Sequence, residues 1–594
     1  MPAPAPQPVL IEAAGHTCLA WWHAPAAVAA PFLPLAIVVA SSWGSEDLAA
    51  YDGQRALAVA LAHAGLGVLR FEWPDTGDSS APTGSTTIAD ALAVFDAAAE
   101  RALALSGQER LAFVGWRLGA LLAAHAAVAR VDVDALVALR PVAGGRAFVR
   151  GQGMVGAGRL SPRPGALLDP AALPVSLGGF VLPVRELEAL SALRWPAAAT
   201  TPVLEALLVQ PTAAAGHTAA DALARMGVRV CEQAHADPCG ETAIGEIVRW
   251  LRERAADATV LRGVSVIEDF GEADPSNTRT NAALADARLD AATAAVLSLA
   301  RADAPVWMRL LEQGVPVRER VVRIGDAGDA ALVGVLGEPD RSGVERRHAI
   351  VLVSSGRERR VGPHRAWVPW ARRRAALGEV VLRLDLAGCG DSAPDARGDD
   401  DAHASRDIAR AVDWLRREHG VASCTLIGSG AGATCAWRAA LDGLAVERVI
   451  AIDPTRLHRA PRPSARSSRA LRACAGLLRG RRDALATELA QTAARGVVLN
   501  LLLSEGRERA LAGRRALRRL CRGGVTIRPV APARPDFTGV TDQATLHAGL
   551  DALLASGDGA APRVDQANRV LSETRASCAA EALRVIARSS RRAA

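Results

Sequence analysis

Short uninterrupted apolar runs alternate with longer helical stretches along most of the chain. Leu35–Ala40, Gly67–Phe71, Leu111–Val114 and Leu136–Leu139 are too short for buried helices and are flanked by Gly, Pro or polar residues, so they read as buried strands. Between them, Gln54–Ala64, Thr87–Ala104 and a stretch ending at Ala129 have helical character, Gly65 serving as a stop signal. Two strands, Val9–Ala13 and Thr17–His23, precede this set; Val203–Val209, Val228–Cys231 and a helix at Glu246–Arg254 close it. Strands and helices alternating at this spacing predict parallel βαβ units with helices on both faces. From Val142 to Pro202 the pattern loosens, as expected of a cap inserted over the sheet edge.

The same grammar returns. Arg320–Ile324, Ala331–Leu336, Ile350–Val353, Val380–Leu384, Cys424–Ile427, Val449–Ile452, Val497–Leu503 and Val525–Val530 read as strands, with a helix at Asp407–Arg417 and an Arg-rich insertion from Leu457 to Arg482. Landmarks in the two halves share one ungapped offset of 313: Ser41-Ser42 with Ser354-Ser355, Val68-Leu69-Arg70 with Val381-Leu382-Arg383, Gly77-Asp78-Ser79 with Gly390-Asp391-Ser392, Arg117 with Gly430, and Pro141 with Pro454. A shared register over loops as well as strands marks an internal duplication. The expected organisation is an α/β domain at 8–254 (cap 142–202), a connection at 255–315, a second α/β domain at 316–556 (cap 455–495) and an Arg-rich tail at 557–594, helical and solvated near 574–592.

Composition narrows the function classes. The net charge is +7, yet lysine is absent and the 63 acidic residues are interleaved with the arginines, which points to coding bias rather than a basic surface. One tyrosine and eight phenylalanines argue against a stacking platform for nucleic acid, so no nucleic-acid partner is expected. The nine cysteines include no C-x-x-C pair, and no cofactor or metal motif stands out; free thiols in a reducing cytoplasm are expected. Met1–Gln7 has no basic residue and does not read as a signal peptide. The longest apolar stretch, Ala24–Ala40, is interrupted by Pro31 and Pro34, so no membrane span is expected.

The chemistry centres on two strand–turn–helix junctions. Leu426-Ile427-Gly428-Ser429-Gly430-Ala431-Gly432-Ala433 has the glycines of a nucleophile elbow, G-x-S-x-G, but glycine at the apex. Gly115-Trp116-Arg117-Leu118-Gly119-Ala120 repeats the grammar with arginine at the apex. On these residues both halves resemble the α/β-hydrolase superfamily, which implies two tandem α/β-hydrolase domains, each a mostly parallel sheet with helices on both faces and a cap. The first half is similar to bacterial hydrolase-like proteins associated with exosortase and exopolysaccharide gene clusters, whose elbow reads G-x-R-L-G-A; Leu69-Arg70-Phe71 and Thr76-Gly77-Asp78-Ser79 extend the match. The second half resembles a sister group with an H-R-V-G-P loop, here Arg359-Arg360-Val361-Gly362-Pro363, and a G-x-C-x-G-A elbow in which Cys is the nucleophile.

The resemblance implies an acid after a late strand and a histidine after the last one. Gly506-Arg507 replaces the expected Gly-Asp, and Arg534-Pro535-Asp536-Phe537 replaces D-H-x-F. In the first half Gln210-Pro211 occupies the acid position, while His235, beside Asp237, is a relic base or a loop histidine. Arg117 either binds a carboxylate or phosphate bidentately or is tied to Asp75 or Asp78 nearby. Ser429, one residue before the apex, is expected to point away from the cleft, and Cys389 sits in the loop after Val380–Leu384. The reading is a catalytically degenerate tandem that binds a small acyl, carboxylate or sugar-linked ligand or a protein partner through Ser42, Trp43, Trp116, Arg117, Ser355, Gly356 and Ser429. The alternative is a working esterase or acyltransferase with its nucleophile near Ser41-Ser42 or Ser354-Ser355.

Overall fold

A computed structural model gives the fold. It describes residues 5–26, 33–80, 86–157, 175–177, 180–182, 184–197, 205–211, 218–225, 228–235, 240–268, 307–325, 331–340, 347–354, 356, 358–394, 401–455, 487–504, 525–529 and 540–555. The chain divides into two compact units, Met1–Met308 and Arg309–Ala594.

The first unit opens with a hairpin of β1 (Gln7–Ala13) and β2 (His16–His23). Its two-residue turn, Ala14-Gly15, has φ of 51° and 75°, the left-handed pair that matches strand twist. Then follow β3 (Ala36–Ala40), α1 (Ser45–His63), β4 (Gly67–Phe71), α2 (Ile88–Ser106), β5 (Leu111–Trp116), α3 (Leu118–Val128) and β6 (Val133–Leu139). The insertion contains α4 (Gly145–Ala157), a small hairpin of β7 (Val175–Leu177) and β8 (Phe180–Leu182), and α5 (Val184–Ala192), more regular than its sequence suggests. The unit closes with β9 (Glu205–Pro211), α6 (Thr218–Arg225), β10 (Arg229–His235) and α7 (Glu241–Glu268).

The sheet order is β1-β2-β4-β3-β5-β6-β9-β10, with β2 antiparallel to β4 and every later pair parallel. Both faces are covered: Ala36, Val38 and Ala40 pack with α2 and α3 residues, while Ile37 and Val39 pack with α1 and α7 residues. That two-sided burial is why these strands read as unbroken apolar runs.

The second unit has nine strands in the order β11-β12-β13-β15-β14-β16-β17-β18-β19. They are β11 (Trp307–Glu312), β12 (Val315–Ile324), β13 (Leu332–Pro339), β14 (His348–Ser354), β15 (Val380–Asp385), β16 (Ser423–Ser429), β17 (Arg448–Ile452), β18 (Val498–Leu503) and β19 (Val525–Pro529). Its helices are α8 (Trp367–Ala376), preceded by a 3₁₀ turn at Pro363–Arg365, α9 (Asp401–His419), α10 (Gly430–Leu441) and α11 (Val540–Ala555). β11 lies in the stretch expected as a connection. The Gln313-Gly314 turn, with φ of 51° and 80°, folds β11 back onto β12 and adds an edge strand to this sheet. The helix expected near 282–301, the acid and histidine positions after β18 and β19, and the C-terminal tail lie outside the described residues.

The two units share bonds as well as strand order. Ser79 Oγ accepts from Leu19 N–H at 3.0 Å and donates to Glu72 O; Ser392 Oγ accepts from Val333 N–H at 2.8 Å and donates to Asp385 O. Asp78 N–H donates to Glu72 Oε2, and Asp391 N–H to Asp385 Oδ2. A Cβ on Gly77 would collide with the Glu72 carboxyl, and one on Gly390 with that of Asp385. Arg140 and Asp453, ending β6 and β17, are both left-handed at φ of 47° and 46°, their N–H groups donating to Val209 O and Leu502 O. Among the described residues no helix is long and apolar enough to cross a membrane.

Candidate functional site: the two elbows

In the first unit β5 ends at Trp116, Arg117 turns with φ 51° and ψ −110°, and α3 begins at Leu118. The flanking glycines are needed because a Cβ on Gly115 would strike the Ala120 backbone and one on Gly119 the Ser41 carbonyl. Arg117 N–H donates to Leu139 O at 2.9 Å, pinning the strained residue to β6. The turn presents the Arg117 side chain beside the Ser41–Gly44 loop that leads from β3 into α1.

That loop supplies the partner. Arg117 Nη2 lies 2.9 Å from Glu46 Oε1, and Glu46 Oε2 accepts from Ser42 Oγ at 2.7 Å. The expected tie to Asp75 or Asp78 is thereby corrected: the first turn of α1 delivers its carboxylate across the elbow. Arg117 remains about one-third exposed (32%), and its other guanidinium N–H groups have no partner among the described residues. Ser42 is buried, its hydroxyl committed to Glu46. Ser41 donates to Asp47 and accepts from Gln54 Nε2 at 3.0 Å. Trp43 is buried edge-on against Trp73, their centroids 6.2 Å apart, and Trp116 is buried among Val114, Leu207 and Trp250. These two rings support the loop and the strand. His235 ends β10, where its backbone pairs with Pro211.

In the second unit β16 ends at Ser429 (φ −115°, ψ 150°) and Gly430, at φ 53°, opens α10. A Cβ on Gly428 would strike Gly432, and one on Gly432 the Val353 carbonyl; a Cβ on Gly430 would meet only Thr455 Cγ2, at 3.9 Å. The apex itself therefore has room for a side chain and carries none. Ser429 is tied down: its Oγ donates to Glu358 Oε2 at 2.5 Å. Burial pushes the Glu358 carboxyl above the ordinary glutamate range, against the lowering effect of the Ser429 hydrogen bond. Gly356 N–H donates to Cys389 Sγ at 3.2 Å, and Ser355 lies outside the described residues. Deeper in the same edge, Arg360 bridges the buried carboxylates of Asp385 and Asp391 at 2.7 and 2.9 Å. Among the described residues no histidine bonds to Ser41, Ser42, Ser354 or Ser429.

The two residues that sequence reasoning missed are Glu46 and Glu358, each 71 positions upstream of the side chain it grips. Glu46, four residues after Ser42 in the first turn of a helix, left a weak local signal; Glu358 left none. Both come from the loop after the central strand, so each unit swings a carboxyl towards its elbow.

No protein-family model matches the chain, and no curated protein does. Solved structures are similar over about two-fifths of it. Est1E from Butyrivibrio proteoclasticus, with ferulic acid bound, is 18% identical over 42% of this chain and 98% of its own, with a TM-score of 0.32. An α/β serine hydrolase without a lid from Xanthomonas campestris is 15% identical over 43% and 97%, with a TM-score of 0.29. An esterase from Pyrococcus furiosus is 14% identical over 36% and 80%, with a TM-score of 0.25. The order of the strands, the single antiparallel neighbour β2 or β13, and the sharp turn after β5 or β16 make each unit an α/β-hydrolase fold.

Proposed function

We propose that the protein is a catalytically degenerate tandem of α/β-hydrolase domains, derived by internal duplication, and that its first domain binds a small acyl ligand through a carboxylate at Arg117. The observation that carries this is the half-engaged guanidinium at the elbow apex: one Nη2 contact goes to Glu46, the remaining donors are unpartnered among the described residues, and the side chain is open to solvent. A guanidinium fork matches a carboxylate in two parallel hydrogen bonds. Glu46 holds it in place without neutralising every donor. The apex in each domain lacks the hydroxyl or thiol that acyl transfer needs. The resemblance of the first elbow to exopolysaccharide-associated proteins supports an acyl- or sugar-linked ligand of that kind of biosynthesis, in the cytoplasm.

Butyrate is a suitable probe. Ligand-observed NMR on the full chain should detect its binding, weakened at least about tenfold by Arg117→Ala, the loss of roughly 1.4 kcal/mol or more. Butyrate binding that ignores this substitution would overturn the assignment of the site.

A further inference from the structure

The second elbow is built for a ligand of different polarity. At the 313 offset, Arg117 corresponds to Gly430 and Trp43 to Gly356. Two bulky side chains of the first elbow are thus replaced by none. A Cβ on Gly356 would meet nothing within 4 Å, and one on Gly430 only a methyl at 3.9 Å. Into this edge Glu358 brings its carboxyl: Oε2 is held by Ser429, while Oε1 has no hydrogen-bond partner among the described residues.

A second polar group is left over. Ser354, at the end of β14, is 1% exposed and its hydroxyl has no partner among the described residues. Its Cα would lie 3.6 Å from a Cβ on Gly432, against the first turn of α10. Its counterpart Ser41 is satisfied twice, by Asp47 and Gln54. A buried hydroxyl without a partner is costly, which makes this one a candidate for bonding to something not part of the fold.

The charges on either side restrict what that can be. The first amides of α10 have no intrahelical acceptor, and Ser429 at the cap position spends its hydroxyl on Glu358 rather than on them. Those amides and the helix dipole disfavour a cation, whereas the Glu358 carboxyl disfavours an anion. A neutral hydroxyl suits both: it donates to Glu358 Oε1 and accepts from an amide or from Ser354. We propose that the second domain's elbow binds the hydroxyl groups of a neutral alcohol or polyol, with Glu358 as acceptor and Ser354 as the second contact.

Ligand-observed NMR on the full chain tests this with methyl α-D-glucopyranoside and 1,3-propanediol as probes, and butylammonium and butyrate as charged comparators. At least one neutral probe should bind, at least tenfold more weakly to Glu358→Ala, and unchanged to Arg117→Ala. Binding of the glucoside alone identifies a sugar, binding of both a simple diol. Gly430→Arg installs the first elbow's apex residue at a φ that Arg117 itself adopts, and should abolish neutral-probe binding in a folded chain. Neutral-probe binding indifferent to Glu358, equally strong Glu358-dependent binding of butylammonium, or no neutral-probe binding would each overturn the inference. Labelling of Ser429 by a fluorophosphonate would do so too, by making that serine a nucleophile. Butyrate binding lost in Arg117→Ala but present in Glu358→Ala belongs to the first elbow alone, so the two proposals fail separately.

Discussion

Arg117 sits at φ 51° and ψ −110°, a conformation that costs a non-glycine residue on the order of 1–3 kcal/mol. Its ion pair with Glu46 is partly exposed and returns at most about 1 kcal/mol. The pair therefore does not explain the residue by stability. Arg117→Gly should leave the melting temperature unchanged or slightly higher while removing butyrate binding; a marked drop in melting temperature would show that the arginine is structural. Glu358 gives a pH-dependent counterpart. Its carboxyl is pushed up by burial, so the folded chain holds that proton more tightly than the unfolded chain does. The associated stability is complete below the ordinary glutamate pKa and is lost as pH rises through the raised one. Glu358→Gln should then raise the melting temperature at pH 8 and change it little near pH 4. An equal shift at both pH values would assign the effect to packing instead.

At the scale of elements, glycine spacing was legible because the elbow leaves no room. Gly428→Ala and Gly432→Ala drive a Cβ into backbone and should each cost roughly 1–3 kcal/mol. Gly430→Ala meets only Thr455 and should cost about 1–2 kcal/mol, from its positive φ alone. Thermal melts of the three variants check that ranking. Strands were legible because both of their faces are buried, but α8 was not. Its apolar positions are broken by Arg372-Arg373-Arg374, and Arg372 is buried because Glu319 of β12 takes it, together with Arg383. Helix α11 docks against the loop before α8 through His547, whose Nε2 bonds to Ala366 O at 2.8 Å, and Gln543, which donates to His364 O. Burial, aided by the charge of Arg373, lowers the His547 pKa to about 3. The imidazole stays neutral when folded and protonates near 6.5 when unfolded. Stability is therefore lost as pH falls from 6.5 towards 3, by up to about 1.4 kcal/mol per pH unit. His547→Gln should flatten that acid-side loss in melting temperature; an unchanged slope would count against the histidine.

Across the whole molecule, the 313 register was visible because both units keep the Gly-Asp-Ser loop locked by the same serine and carboxyl bonds. The added β11 hairpin was not, since its Gln313-Gly314 turn sits outside that register. Nor were Glu46 and Glu358, because pairing across 71 positions depends on how a sheet brings two loop ends together. Those carboxyls also decide what the chain can catalyse. Each comes from the loop after the central strand, beside which a developing oxyanion would have to be stabilised, and a negative charge there opposes it. Losing nucleophile and base together costs on the order of a million-fold in rate. The full chain should therefore show no p-nitrophenyl acetate hydrolysis above buffer. Gly430→Cys supplies a thiol where the apex has room, yet an unassisted thiol is mostly protonated at neutral pH, and the Glu358 carboxyl next to it raises its pKa further. The variant should fold, melt slightly lower and remain inactive, with iodoacetamide labelling that speeds up only above about pH 8.5. Robust turnover by Gly430→Cys would mean that a base already serves the second elbow, and that this domain is one substitution from a working hydrolase.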